Sequence, residues 1–159
     1  MHLEGASINS VDASGRIALR DHVIDELNGS VVITLGFDEN LLMFAPEQWT
    51  EFVMQLEGDD DEMDPDTDDL RRLFLAPATT VELDDRGRVK LPEPLRDWAG
   101  LKPGKSRAMV LSIGTRWEIW DQRTYKEYML SRRGALKDIA RRKFSNTPSG
   151  SGEAEDEVR

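Results

Sequence analysis

The feature that most constrains this chain is an internal duplication. Ser10-Val11-Asp12-Ala13-Ser14-Gly15-Arg16-Ile17-Ala18-Leu19 aligns with Glu82-Leu83-Asp84-Asp85-Arg86-Gly87-Arg88-Val89-Lys90-Leu91 at a constant offset of 72 residues, and both read apolar-Asp-x-x-Gly-Arg-apolar-x-Leu. Further on, Val31-Val32-Ile33-Thr34-Leu35 and Leu41-Leu42-Met43-Phe44 with Trp49 answer Arg107-Ala108-Met109-Val110-Leu111 and Trp117-Glu118-Ile119-Trp120 with Tyr125. There the offset is 76, so the second copy carries a small insertion. Order conserved between the copies over roughly 45 residues marks a tandem duplication. Within 159 residues, each copy is too small to be comfortably stable alone, so the two have to share a core.

Inside each copy, short alternating or β-branched runs separated by Gly, Asn or Asp predict strands, in the first copy over 7–11, 16–19, 31–35 and 41–44. Short helices are expected over 21–27 and 93–99, the second opened by Pro92 and Pro94 and ended at Gly100. Trp49, Phe52, Val53 and Leu56 fall at i, i+3, i+4 and i+7 and predict an amphipathic helix over 46–56. A helical pattern resumes over 70–75, and another starts near Gln122 with Tyr125, Tyr128, Met129, Leu136, Ile139 and Ala140 on one face, bent or broken at Gly134. The expected fold is α+β: two pseudo-symmetric β-β-α-β-β repeats (5–50 and 78–124), each followed by a helix. Segment 51–77 connects them through helices and an acidic loop, 125–144 is a basic C-terminal helix, and 145–159 reads as a disordered acidic tail.

Charge matters by location here. The net charge is -10, but Glu57, Asp59, Asp60, Asp61, Glu62, Asp64, Asp66, Asp68 and Asp69 form one block, and Glu153, Glu155, Asp156 and Glu157 another. Outside these blocks 18 acids face 21 Lys and Arg, so a nucleic-acid partner is compatible with the composition. With no Cys and only His2 and His22, thiolate zinc sites, cysteine nucleophiles and His-based relays lose their residues. No apolar run approaches the roughly 18 residues a membrane span needs, and the N-terminus lacks the pattern of a secretory signal. The expected location is the cytoplasm, in association with the nucleoid.

The repeated Asp-x-x-Gly-Arg turn is the main chemical lead. Gly15 and Gly87 suit the positive φ of a tight turn, and Asp12 and Asp84 suit capping of its free N–H groups. One reading has Asp12 and Arg16, or Asp84 and Arg88, merely paired across the turn. The other has two duplicated β-hairpins whose stiff tips present Arg to DNA, because a two-stranded ribbon fits the major groove and Arg can bond guanine bidentately. Arg20, Arg86 and Lys90 add charge nearby. Six basic residues against one acid over 131–143 are either a solvated helix face or a contact to phosphate backbone. Asp64, Asp66 and Asp68 imitate the start of a calcium loop, but Asp69 stands where the turn Gly belongs and Leu75 where the bidentate Glu does. Trp49, Trp98, Trp117 and Trp120 read as core more readily than as base-stacking platforms. Glu118 and Asp121 lack a visible carboxylate partner for glycoside chemistry. Neither an enzyme nor a cofactor or metal site is expected.

These motifs resemble the MraZ family of bacterial transcriptional regulators, whose tandem repeats are similar to the swapped-hairpin, double-psi-like fold of AbrB-type regulators. The second copy carries the more specific pattern: Leu70-Arg71-Arg72-Leu73-Phe74-Leu75-Ala76, Leu83 to Pro92, Ala99-Gly100-Leu101 and Glu118-Ile119-Trp120. The resemblance implies homo-oligomers closed into rings. It also implies that the Asp-x-x-Gly-Arg hairpins of the first repeats bind short direct repeats of double-stranded DNA in the promoter of the division and cell-wall gene cluster, usually repressing it. It places DNA contact on Ser14, Arg16, Arg20, Arg86, Arg88 and Lys90, with Arg16 foremost and Arg88 its counterpart, and leaves Asp12, Gly15, Asp84 and Gly87 to shape the turns. Neither a membrane nor a small-molecule substrate is implied. Copy one departs from the family pattern, with Ser14 in place of Lys before the Gly and Arg20 in place of Pro after the following strand. The rival from another class is a protein-binding, antitoxin-like module whose acidic segment wraps a basic partner.

Overall fold

The computed structural model describes residues 5–58 and 64–145. Its compact units are residues 1–125 and 126–159. Among the described residues the first contains eight strands: β1 (Ala6–Ser10), β2 (Arg16–Ala18), β3 (Ser30–Leu35), β4 (Asn40–Phe44), β5 (Thr79–Glu82), β6 (Arg88–Lys90), β7 (Arg107–Ser112) and β8 (Trp117–Asp121). Helices α1 (Asp21–Ile24), α2 (Pro46–Glu57), α3 (Pro65–Leu70) and α4 (Glu93–Ala99) sit between them, and α3 runs on into a π-helical turn over Arg71–Leu75.

Strand order shows how the copies share one core. Six strands form an antiparallel sheet in the order β1-β7-β8-β4-β3-β5, and β2 pairs with β6 in a separate two-stranded ribbon. Exchanging the copies turns this order into its own reverse. The first strand of each copy pairs with the third strand of the other, and the fourth strands meet at the centre, where Leu42 lies opposite Glu118. The hairpins that stay within one repeat are β3–β4 and β7–β8, whereas the hairpin expected across each Asp-x-x-Gly-Arg turn does not form. The strands on either side of each Asp-x-x-Gly-Arg turn separate, one to the large sheet and one to the ribbon.

Alternation along the strands builds two cores. Val31 and Ile33 of β3, Leu41 and Met43 of β4, and Ala108 and Val110 of β7 join Ile17, Val89, Val23 and Leu95 in the larger one. Leu42 and Phe44 point the other way, onto Phe74 and the half-buried Trp49, Phe52 and Leu56 of α2. Ring centroids 4.8 Å apart for Phe44–Phe52 and 5.2 Å for Phe52–Phe74 add roughly 0.5–1.5 kcal/mol per pair beyond area burial. The buried hydroxyl of Thr34 is satisfied by donating to the Phe74 carbonyl at 2.6 Å.

Several sequence expectations shift. The burial pattern matches Val31 and Ile33 to Ala108 and Val110, so β3 maps onto β7 at an offset of 77 rather than 76. An offset of 76 would set exposed Arg107 at the place of buried Val31, because side chains alternate across the strand. α1 stops at Ile24 instead of reaching residue 27, and tighter turns such as Glu26 N–H to Val23 C=O follow it. The acidic segment is partly helical: Asp64 caps α3 by accepting from Asp66 N–H at 3.1 Å and from the Thr67 hydroxyl at 2.8 Å. Trp117 and Trp120 are buried and Trp49 is half-buried, but Trp98 is 43% exposed, with its indole N–H donating to the Asp38 carbonyl at 2.9 Å. Residues 59–63 of the acidic block and 146–159 of the expected disordered tail lie outside the described residues, and Ser145 closes a helix.

Helix α5 (Gln122–Ser131) begins in the first unit, and in the second it hands over to α6 (Arg133–Ser145) at Arg132. The break comes two residues before Gly134. Gly134 itself sits in the first turn of α6, where backbone N–H groups have no helical partner to lose. Among the described residues no helix is long and apolar enough to cross a membrane.

Because β1 and β2 have all their strand partners in the other repeat, and β3 and β4 keep only each other and lose their second neighbours β5 and β8, residues 1–77 expressed alone should show no cooperative thermal unfolding by circular dichroism. A sigmoidal melt for that half would contradict the shared sheet.

Candidate nucleic-acid interface

Each turn is built around one carboxylate. Asp12 Oδ1 accepts from the N–H groups of Ser14 and Arg16, both at 2.9 Å, and from the Ser14 hydroxyl at 2.7 Å. Asp84 Oδ1 accepts from the N–H groups of Arg86 and Arg88, also at 2.9 Å. The loops close through Asp12 N–H to Arg16 C=O and Asp84 N–H to Arg88 C=O. Gly15 and Gly87 have φ of +84° and +73°, a region that L side chains rarely adopt. Both also lie under a neighbour: a Cβ on Gly15 would come within 2.8 Å of Arg96 Nε, and one on Gly87 within 2.5 Å of Ile24 Cδ1. Ile24 and Arg96 are themselves 72 residues apart, so the duplication extends to the residue covering each turn. Sequence reasoning missed this pair, although the same offset applied to 24 would have found it.

The turns are tied to each other. Leu19 N–H donates to the Gly87 carbonyl at 3.1 Å and Leu91 N–H to the Gly15 carbonyl at 2.9 Å. Between these bonds Arg16 lies opposite Lys90, Ile17 opposite Val89 and Ala18 opposite Arg88. Ile17 and Val89 point into the core. Alternation therefore places Arg16, Ala18, Arg88 and Lys90 on the outer face of one ribbon, with exposed Arg20 and Arg86 towards one end and exposed Ser14 near the other.

Across that face the ion pairs cross between repeats. Arg88 Nε bonds Asp84 Oδ2 at 2.8 Å while its Nη1 reaches Asp12 Oδ2 at 3.4 Å. Arg16 bonds the Ser14 hydroxyl at 2.7 Å and stands 3.8 Å from Asp84 Oδ2. The simple alternative of pairing within each turn thus holds for Asp84 and Arg88, whereas Arg16 turns to Ser14 and the other repeat. All four charged side chains are about one-third exposed, so solvent screening keeps each pair weak. Arg88 is clamped and Arg16 is the freer guanidinium. Among the described residues, Arg20, Arg86 and Lys90 have no side-chain partner.

The carboxylates respond to this setting. The Asp12 carboxyl is held down at about 2, chiefly by the Arg16 N–H and then by the Ser14 hydroxyl, the Ser14 N–H and the Arg88 charge. Asp84 is lowered by the Arg88 N–H, then by the Arg86 N–H and the Arg88 side chain.

The other candidates resolve into structural roles. Glu118 accepts from the Trp120 indole N–H at 2.8 Å, and Asp121 accepts from the Thr124 N–H and hydroxyl at the start of α5. In the acidic segment, Arg71 forks onto Glu57 and bonds Asp68 at 2.7 Å, and Arg72 bonds Asp69 at 2.7 Å. Among the described residues no group of three His, Asp or Glu could hold a metal ion. On α6, Arg141 pairs with Asp138 at 3.3 Å.

Comparison with known proteins places this geometry among relatives. The family model described as "MraZ protein, putative antitoxin-like" matches twice, over residues 3–73 and 74–146. A protein of Thioalkalivibrio sulfidiphilus is 35% identical over 125 residues, covering 76% of this chain and 81% of the relative. One of Shewanella loihica is 34% identical over 148 residues, covering 90% and 93%, and one of Acetivibrio thermocellus is 31% identical over 136, covering 83% and 90%. Each is named transcriptional regulator MraZ.

Two outcomes test the turn geometry. Both carboxyl pKa values are depressed by folding, so the stability they contribute is complete above their ordinary value near 3.8 and is lost as pH falls towards about 2. A carbon-detected NMR titration should give Asp12 a midpoint of about 2 and Asp84 one below 3.8; ordinary midpoints at both would contradict the network. Gly15→Ala should cost about 1–3 kcal/mol in denaturant unfolding, through the positive φ and displacement of Arg96 from the Leu91 carbonyl. An unchanged midpoint would show that the turn tolerates a side chain.

Proposed function

Because the chain belongs to the MraZ family, we propose that it is a sequence-specific DNA-binding transcriptional regulator that reads promoter DNA with the outer face of the β2–β6 ribbon. The observation that carries this reading is the ribbon itself. Two antiparallel strands, one from each repeat, present Arg16, Arg88 and Lys90 outward, with Arg20 and Arg86 together towards one end, and a ribbon of two strands fits a major groove.

Arg16, the less constrained of the two turn arginines, is the reader of guanine. Arg88 braces the two turns against each other. Ser14 orients Arg16, and Arg20, Arg86 and Lys90 meet phosphate. The operator would be the short direct repeats of the division and cell-wall gene promoter, and the effect repression, as the family resemblance implies. A homo-oligomeric ring would multiply weak contacts into avidity, and the edge strands β1 and β5, each paired on one side only within the chain, support assembly. The basic face of α6 would add sequence-blind attraction. The regulator would act in the cytoplasm, at the nucleoid. The acidic segment that favoured a protein-binding module has Glu57, Asp64, Asp68 and Asp69 engaged within the chain, which weakens that rival.

Titration of the purified protein against its own upstream region and against random DNA, at two salt concentrations, tests the assignment. Arg16→Ala should cost about 1–3 kcal/mol on the operator and far less on random DNA. Lys90→Ala and Arg86→Ala should weaken both DNAs alike, each lowering the salt slope by about one. Arg88→Ala should also lower the melting temperature, since it leaves Asp12 and Asp84 facing each other. Operator binding that survives the loss of Arg16 and Lys90 together would remove the ribbon from the interface.

A further inference from the structure

Beside the ribbon, α1 and the β1–β7–β8 end of the sheet leave an open cleft of about 220 Å³. Arg20 and His22 stand on one side, the hydroxyl-bearing Ser7 and Ser112 on the other, and Val110 and Trp117 line its floor. The acids of α1, Asp21 and Asp25, do not line it, and neither does any other carboxylate among the described residues.

The duplication supplies an internal comparison. At the equivalent place in the other half of the molecule, Arg20 and His22 are replaced by Pro92 and Pro94, and Ser112 by Leu35, which packs against the core. There α4 has seven residues against the four of α1, and Trp98 ties it down through the Asp38 carbonyl. The position of Trp98 is held by Glu26 in the first repeat. One half therefore carries proline, leucine and tryptophan where the other carries arginine, histidine, serine and glutamate, and Thr79 keeps the hydroxyl of Ser7. Packing alone does not call for that difference, since the apolar version fits the same framework.

We propose that this cleft binds a small organic anion, its phosphate or carboxylate group met by Arg20 and His22 and its polar body by Ser7 and Ser112 over the Trp117 floor. The volume is below the roughly 300–1,000 Å³ of pockets for drug-sized ligands, so the occupant is of metabolite size. A phosphate group could equally come from the backbone of nucleic acid, and the test separates the two sources.

The full-length protein, labelled with nitrogen-15, is titrated with inorganic phosphate, glucose 6-phosphate, citrate and a short random DNA duplex in separate experiments. The expected result is saturable shifts at the amides of Ser7, Arg20, Val110 and Ser112 and at the Trp117 indole with at least one small anion. Two variants copy what the equivalent place already holds: Ser112→Leu, and the double variant Arg20→Pro with His22→Pro, for which the Arg20 φ of -73° already suits proline. Each should weaken that binding at least about tenfold while the melting temperature holds or rises, and either alone suffices if the other fails to fold. The proposal is overturned if no small anion saturates these signals by roughly 10 mM, if the variants bind as tightly as the wild type, or if only the duplex shifts them.

Discussion

Leu19 donates its N–H to Gly87 and Leu91 donates to Gly15, and these reciprocal bonds hold the turn of each repeat against the strand of the other. Much else follows from them. They set the register that puts Ile17 and Val89 inward and Arg16, Arg88 and Lys90 outward. They need the backbone of Gly15 and Gly87 to come close to a neighbouring element, which is why a Cβ at either glycine would strike Arg96 or Ile24. The same crossing sends β1 to β7 and β5 to β3, so neither repeat has a complete sheet of its own.

Electrostatics on the ribbon face divide labour between two arginines that look alike in sequence. Asp12 and Asp84 first organise their own turns through backbone N–H groups and then share what acceptor capacity is left with the arginines. Arg88 takes the short bonds and becomes part of the framework. Arg16 is left with a hydroxyl and a distant carboxylate, and can exchange these for a base at small cost because exposed pairs of this kind are weak. Four residues of the acidic block, Glu57, Asp64, Asp68 and Asp69, are instead engaged around α3 with Arg71, Arg72 and Thr67.

Local chemistry was legible in the sequence, and pairing between distant segments was not. Glycine after Asp-x-x announced each turn, α4 was bounded by its prolines and Gly100, and the spacing of Trp49, Phe52 and Leu56 gave the buried face of α2. The exchange of strands was invisible to periodicity, because a short alternating strand such as 16–18 has the same pattern whichever partner it finds; only the family resemblance carried it. The one-residue slip between β3 and β7 escaped because both alignments match apolar residues, and burial alone decides the face. Trp98 was misread as core since an aromatic on a short helix looks the same whether it packs beneath the helix or clamps a loop from outside. The crossed pairs of Arg16 and Arg88 depend on how the turns face each other in space, so no spacing rule reports them.

The central claim is that the DNA-reading surface is composite, with β2 from the first repeat and β6 from the second lying in the same groove. The most direct measurement places a photo-crosslinking side chain at position 16 in one sample and at position 90 in another, and maps the adducts on the operator. The account predicts that both positions mark the same half-site within a few base pairs, since Arg16 and Lys90 are directly paired across the ribbon. Adducts from position 16 with none from position 90 would mean that the first repeat reads DNA by itself, and would contradict the composite surface.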